Sequence, residues 1–512
     1  MYLTNRKFER NKTINPNGKI KVIRIHIQLT TLKLNIMKSF YFTSILLFSI
    51  LTGFAQNKEK DYKEAFKLIE VWLNAQKDFE RLPGITAIIV KDQAVLWEGA
   101  YGLANKEDSV KAEPSTIHSI CSISKLFTSV AIMKLYEEGK LRLDDEIHDL
   151  LPWYNLKQKY PESMPITVRT LITHSSGLPR ESNFPYWTGP DFPFPSREEI
   201  IADLSKQETL YPSSTYFQYS NLGMTLLGEI IEKISGISYD DYITQNIIEP
   251  LGLKNTRTEL PENLYGKEMA YGYSAVDRTL NRDKVDFFQA NGVKPAAGFS
   301  SNVLDLGKFA SWQFRLLDTT TTEILRSSTL KYMQNVHWID PDWKTTWGLG
   351  FWVAKSEDGS KWIGHGGSCP GYRTVLQLNP KTKLAFSVMI NASGTNPGKY
   401  VQGMNGIMSK VKATSKNDST LQNAEDYIGF YSEQPWGSEV YISTWEGKLV
   451  AIDLPSDSPA NSMTFFKHIK DDTFRRVRDD KELGETLVFE RNEYGEVIRV
   501  KQHGNYSVKI DR

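Results

Sequence analysis

The run Ser119–Gly139, SICSISKLFTSVAIMKLYEEG, leaves little freedom in what this chain can become. Leu126, Val130, Ala131, Met133 and Leu135 recur at helical spacing and Gly139 supplies a stop, so the segment is expected to be a buried helix with Ser122 at its N-terminus. A helix this apolar needs a large core around it, and 512 residues are enough to build one and more than one domain. Ser122 and Lys125 are nearly one turn apart and so share a face. The positive end of the helix dipole favours an oxyanion forming beside the serine. The pattern suits an activated nucleophile, although Ser-x-x-Lys also occurs at Ser328/Lys331 and Ser409/Lys412. For an isolated match, a helix cap followed by a solvated lysine is the ordinary reading. Context has to decide.

Charge and hydropathy set that context. Residues 1–36 hold eight Lys/Arg against one acidic residue, and the rest of the chain is mildly acidic. Nucleic acid is therefore not an expected partner. Met37-Lys38 opens an apolar run, Phe40–Leu51, that exits through Gly53 and Ala55. This is the pattern of a signal peptide, Met37–Ala55, with residues 1–36 as an extension from a misassigned start. A secreted or periplasmic protein follows, without stable membrane insertion after cleavage. Only Cys121 and Cys369 are present, too few for a disulfide framework. Pairing is conceivable because each adjoins a candidate site segment, but two small buried hydrophobes is the favoured expectation. No His-x-x-x-His or Cys-x-x-Cys spacing marks a metal site, and no cofactor is called for.

Residues 58–81 are read as an amphipathic helix, and residues 84–97 as two strands with a turn at Lys91–Gln93. Ile166–Pro179 gives a Thr-capped short helix ending at His174, which is assigned to closing that helix and bonding backbone groups in preference to general-base duty. Phe184–Pro195 is aromatic and Pro-rich without periodicity, fitting a substrate-facing loop or a packed cover equally. Tyr219-Ser-Asn221, the one Tyr-x-Asn in the chain, precedes a helix with Leu222, Leu226, Leu227, Ile230, Ile231 and Ile234 on its apolar face. Lys361–Gly371 reads as a strand of a hairpin in which Gly366 and Gly367 leave room for a ligand's backbone. Residues 412–424 are polar and linker-like, separating a 56–411 domain from a 425–512 domain of short strands that suit a small barrel or sandwich.

Ser122-x-x-Lys125, Tyr219-x-Asn221 and His365-Gly-Gly367, in that order and at those separations, resemble the serine β-lactamase and penicillin-binding-protein superfamily, most closely its class C branch. Asp144-Asp145, Leu171–Leu178, Ala297-Gly298 and Pro370-Gly371 agree with the likeness, which spans about residues 80–410. The resemblance implies an α/β (α+β) fold in which an antiparallel sheet is flanked by helices, with an all-helical lobe and the site between them. It further implies Ser122 as acylated nucleophile, Lys125 as its base, Tyr219 as orienter of Lys125 and proton donor to the leaving group, and Asn221 as holder of the substrate's amide side chain. The backbone N–H groups of Ser122 and Ser368 would form the oxyanion hole, with His365, Gly366 and Gly367 lining the substrate. Class C enzymes carry Lys where this chain has His365, and a hydroxyl residue where it has Gly366. Loss of that cation weakens carboxylate binding and opens the site to esters and amides that lack a carboxylate. Arg373 is a candidate to replace that charge, with a surface arginine the favoured reading. The expected activity is hydrolysis of an ester, a D-amino-acid peptide or a β-lactam through an acyl-serine, with a small molecule or peptide, including cell-wall peptide, as substrate. The alternative is a non-catalytic penicillin-binding or sensor protein on the same fold. The C-terminal domain is expected to bind glycan or wall, or to scaffold the edge of the site.

Overall fold

A central strand that is apolar on both faces calls for a layer of helices on each side. The computed structural model, which describes residues 60–356, 359–412, 421–434 and 437–512, has this arrangement. The expected extension, the signal peptide and residues 413–420 of the linker lie outside the described residues. Helix α1 (Lys63–Phe79) leads to strands β1 (Gly84–Lys91), β2 (Ala94–Asn105) and β3 (Val110–Lys111). Helices α2 (Ser124–Glu137), α3 (Asn221–Ser235) and α4 (Val303–Asp318) follow. Strands β4 (Trp338–Ile339), β5 (Thr346–Trp347), β6 (Trp352–Lys355), β7 (Lys361–Cys369), β8 (Tyr372–Asn379) and β9 (Leu384–Ile390) then precede α5 (Pro397–Ser409). These strands form one nine-stranded sheet in the order β3-β2-β1-β9-β8-β7-β6-β5-β4.

Strand β1 separates two cores by its alternation. Ile88 and Val90 pack with Phe127, Val130 and Met133 of α2 and with Phe309 of α4. Ile85, Ala87 and Ile89 turn the other way, onto Leu68, Trp72 and Leu73 of α1 and Met404 and Ile407 of α5. Helix α2 is buried on nearly all sides, as its sequence requires.

After residue 424 the chain forms a closed eight-stranded antiparallel barrel, β10 (Gly429–Tyr431), β11 (Glu439–Trp445), β12 (Lys448–Leu454), β13 (Thr464–Lys470), β14 (Thr473–Val477), β15 (Leu483–Arg491), β16 (Val497–Gln502) and β17 (Asn505–Ile510). Tyr431, Leu449, Phe466, Phe474 and Phe489 fill it. Residues pointing out of β11 and β12, among them Tyr441, Trp445, Val450 and Ile452, join the α1 core. The Trp72 indole N–H donates to Ser456 O at 2.8 Å, and the Ser456 N–H donates to Gln76 Oε1 at 3.0 Å. Residues 61–512 accordingly form one compact unit. Among the described residues, no helix is long and apolar enough to cross a membrane.

Candidate active site

Ser122 lies one turn earlier than a place within the helix proper. It occupies a 3-10 turn, Cys121–Ile123, that feeds directly into α2. Cys121 holds a left-handed φ of 51°, an arrangement a non-glycine residue keeps only where its surroundings enforce it. Here the enforcement is visible. Cys121 is disulfide-bonded to Cys369 at the end of β7, with Cα atoms 5.6 Å apart, so the expectation of two unpaired buried cysteines is overturned. Their separation of 248 residues hid the proximity. Gly367 completes the contact: a Cβ there would come within 2.3 Å of Ile120 O and 2.1 Å of Thr374 Oγ1, so only glycine lets β7 lie against the turn that carries Ser122. Gly366 is different, since a Cβ would meet nothing nearer than Thr374 O at 3.8 Å. Of the two glycines, the one facing open space is Gly366.

Lys125 is fully buried behind the serine. Its Nζ lies 3.1 Å from Ser122 Oγ, 2.7 Å from Asn221 Oδ1 and 2.7 Å from Ala296 O. Burial drives its pKa well below that of an ordinary lysine; the Glu181 carboxylate opposes this and Arg180 adds to it. A neutral amine has two N–H donors and one lone pair. With the donors directed at the two carbonyl-type oxygens, the lone pair is left for the Ser122 hydroxyl, which then donates to it.

Tyr219 lies over Lys125, whose Nζ is 4.8 Å from the ring centroid. Burial raises the phenol's pKa, and a hydrogen bond with the Ser122 hydroxyl opposes the rise. The ring is held by His174, with centroids 4.3 Å apart, and by the edge of Trp347. His174 Nδ1 accepts the Ser220 N–H at 3.1 Å, while Ser220 Oγ caps α3 by accepting from Gly223 N–H. Buried, with its pKa driven well down, His174 is a neutral brace for the Tyr219–Asn221 segment.

Asn221 is 2 % exposed and both ends of its amide are engaged, Oδ1 with Lys125 and Nδ2 with both Glu181 carboxylate oxygens at 2.9 Å. The side chain expected to hold a substrate amide is thus turned inward. His365 is buried, its Nδ1 is 2.7 Å from Gly366 O, and its Nε2 has no partner among the described residues. Burial and the nearby Lys125 push its pKa down to about 3, so the imidazole is neutral. A carbonyl only accepts, so Nδ1 carries the proton and Nε2 offers a lone pair.

Ser122, Tyr219, His365, Gly366, Gly367 and Ser368 line one cavity of about 500 Å³, a volume suited to a small ligand. Lys125 and Asn221 stand behind it. Two cations also line it: Arg180, which sequence reasoning left aside, and Arg373, which it weighed as a replacement charge. Arg373, read from sequence as a surface residue, is half-buried: its Nη1 donates to Cys369 O at 2.8 Å and Tyr372 O at 2.7 Å, and no carboxylate pairs with it among the described residues. Glu181 and the Ala296 carbonyl were also missed, because neither belongs to a spaced motif. The segment Phe184–Pro195 resolves as a packed cover, in which Tyr186 packs on Phe194 and Phe194 stacks on Phe288 from outside the segment, all three buried. Among the described residues no cluster of His, Cys, Asp or Glu is placed to hold a metal.

Residues 73–405 match the family profile described as Beta-lactamase. The chain is 26% identical over 349 residues to Protein flp of Staphylococcus aureus, covering 67% of each chain. It is 28% identical over 368 residues to Beta-lactamase-like protein 2 of Dictyostelium discoideum, covering 69% of this chain and 63% of that one. Among solved structures, the octameric penicillin-binding protein homologue from Pyrococcus abyssi superposes with a TM-score of 0.60 at 26% identity, over 86% of this chain and 99% of its own. A D-stereospecific amidohydrolase from a Streptomyces species shares the fold, with a TM-score of 0.54 at 22% identity over 67% of this chain and 97% of its own.

Proposed function

The chain belongs to the beta-lactamase family, and on that premise we propose that it is an exported serine hydrolase acting through an acyl-enzyme at Ser122. Its substrates are esters, D-amino-acid peptides or β-lactams. The observation that carries this reading is the three-point contact of the Lys125 amine, which leaves its lone pair facing the Ser122 hydroxyl. As Ser122 Oγ bonds to the acyl carbon, its proton passes to Lys125 Nζ and the carbonyl electron pair moves onto oxygen. The backbone N–H groups of Ser122 and Ser368 receive that oxyanion, helped by the N-terminal end of α2. Collapse breaks the bond to the leaving group, which takes a proton through Tyr219 from Lys125. Water then repeats the sequence on the acyl-serine.

The cations of the cavity bear on the substrate. His365, neutral and presenting a lone pair, cannot hold a carboxylate. Arg373 supplies a positive charge within the same cavity, so carboxylate-bearing peptides and β-lactams stay within range alongside neutral esters. The penicillin-binding protein homologue among the structural neighbours supports keeping them there. Export rests on the Met37–Ala55 pattern alone.

The test is hydrolysis of an aryl ester, a D-alanyl peptide and a penicillin by the native chain and by Ser122→Ala. The native protein is expected to turn over at least one of them and the variant none. Turnover retained in Ser122→Ala removes the proposal.

A further inference from the structure

The aromatic cover over residues 184–195 lines no part of the catalytic cavity, yet one of its side chains reaches toward the site. The hydroxyl of Tyr186, a residue 1 % exposed, donates to the Glu181 carboxylate. Arg180 Nε lies 3.1 Å from the same carboxylate. Held in this way, Glu181 accepts from Asn221 Nδ2, which is 2.9 Å from each of its oxygens.

An asparagine amide can sit in a buried site either way round, and its neighbours decide which. Ionised, a carboxylate only accepts. Glu181 therefore requires the NH2 end of Asn221 to face it, which turns Oδ1 onto Lys125 Nζ at 2.7 Å. With Ala296 O as the second acceptor at 2.7 Å, both N–H donors of a neutral Lys125 are taken, and the lone pair falls on the Ser122 side at 3.1 Å. Were Asn221 reversed, its NH2 would face the amine, and Lys125 would have to present its lone pair there. Glu181 makes no hydrogen bond to Ser122 or Lys125 among the described residues, yet it sets the orientation on which proton transfer between them depends.

We propose that Glu181 is a positioning residue for acylation: held by Tyr186 and acting through Asn221, it aims the Lys125 lone pair at Ser122. This rests on the acyl-serine reading above. Among the described residues, the charged or titratable groups that face or act on Lys125 are Glu181, Arg180, Tyr219, His174 and His365, of which Glu181 alone is a carboxylate. Its charge raises the pKa of Lys125 against the effect of burial, so removing that charge lowers the titration midpoint of the amine.

The test uses the full chain, Glu181→Gln, and the exchanged pair Glu181→Gln with Asn221→Asp. The exchange restores an oxygen facing Lys125 and an NH2 facing residue 221. Two quantities are followed against pH: the Lys125 side-chain resonance in protein carrying 13C-labelled lysine, and the rate at which Ser122 is labelled by a neutral alkyl fluorophosphonate. In Glu181→Gln the Lys125 midpoint is expected to fall by about one pH unit, and the plateau labelling rate by about tenfold. The exchanged pair is expected to regain most of the plateau rate, with its midpoint above that of Glu181→Gln. An unmoved midpoint, an unchanged plateau in Glu181→Gln, or an exchanged pair as slow as the single variant overturns the role of Glu181. A native protein that takes no label at Ser122 overturns the acyl-serine reading itself, and the positioning role with it.

Discussion

At the scale of single residues, the proposed chemistry turns on one amine. An ordinary lysine near its usual pKa is neutral in about one molecule in a few thousand at pH 7. Lys125, whose pKa is held well down by burial, is neutral in a far larger share, which suits it to the base role proposed for it. Its lone pair exists above its own lowered pKa and is lost as pH falls through it. The acylation rate is therefore expected to climb along a limb centred well below the ordinary lysine value and then flatten, and a pH–rate profile checks this. A limb centred near the ordinary lysine value would contradict the account. Lys125→Met, which leaves Ser122 in place without its base, is expected to slow acylation by about 10²-fold or more, as read by single-turnover kinetics. That Ser122, Lys125 and Tyr219 stand together was legible in the sequence, because the motifs that carry them fix their residue types and their spacing. Glu181 was not, since its partner Asn221 lies 40 positions away and nothing in Pro179–Ser182 marks a half-buried carboxylate.

At the scale of elements, the site depends on how β7 meets the turn before α2. The two glycines of β7 look alike in sequence and behave oppositely in space. Gly367→Ala drives a methyl into Ile120 O and Thr374 Oγ1, while Gly366→Ala points into open cavity. Gly367→Ala is expected to lose Ser122 labelling and to melt at lower temperature, whereas Gly366→Ala should keep a melting temperature near that of the native protein. Thermal denaturation of the two variants, read side by side, checks this. The Gly-Gly pair was visible from sequence as a place of close approach, but not that the approaching partner of Gly367 is the protein's own backbone. The Cys121–Cys369 bond was hidden for a similar reason: pairing needs the strand order, and strand order is not written locally. The helices were plainer, because α2 and α3 carry their apolar residues and their stops within a single window. Helix α1 does more than its amphipathic pattern implies, since it lies between the sheet and the barrel. Trp72, fully buried in that shared core, is expected to cost about 3–5 kcal/mol when replaced by alanine, measured by denaturant unfolding.

At the scale of the whole molecule, the barrel and the sheet share a core through α1, and among the described residues no barrel side chain lines the catalytic cavity. The barrel's closure was within reach of the sequence, which offered barrel or sandwich; its docking on α1 was not, because outward-facing residues of β11 and β12 look like ordinary alternation. Acid sensitivity also belongs to this scale. His118 and His365 are buried neutral, with pKa values pushed down to about 4 and about 3. The unfolded chain takes up protons on these groups near pH 6.5 while the folded one does not, so stability falls as pH drops from about 6.5 toward 4. The melting temperature is expected to fall over that interval, and His118→Gln should remove part of the fall; an equal slope in the variant would contradict the assignment. The central claim, that Ser122 carries a transient acyl group, is tested most directly by the intact mass of the full chain followed in time after mixing with a penicillin and, separately, with a D-alanyl thioester. An adduct that forms on the native protein, maps to Ser122, clears with time and is absent from Ser122→Ala is the expected result. A lasting adduct would make the protein a penicillin-binding sensor without turnover, and the same adduct in Ser122→Ala would contradict the account.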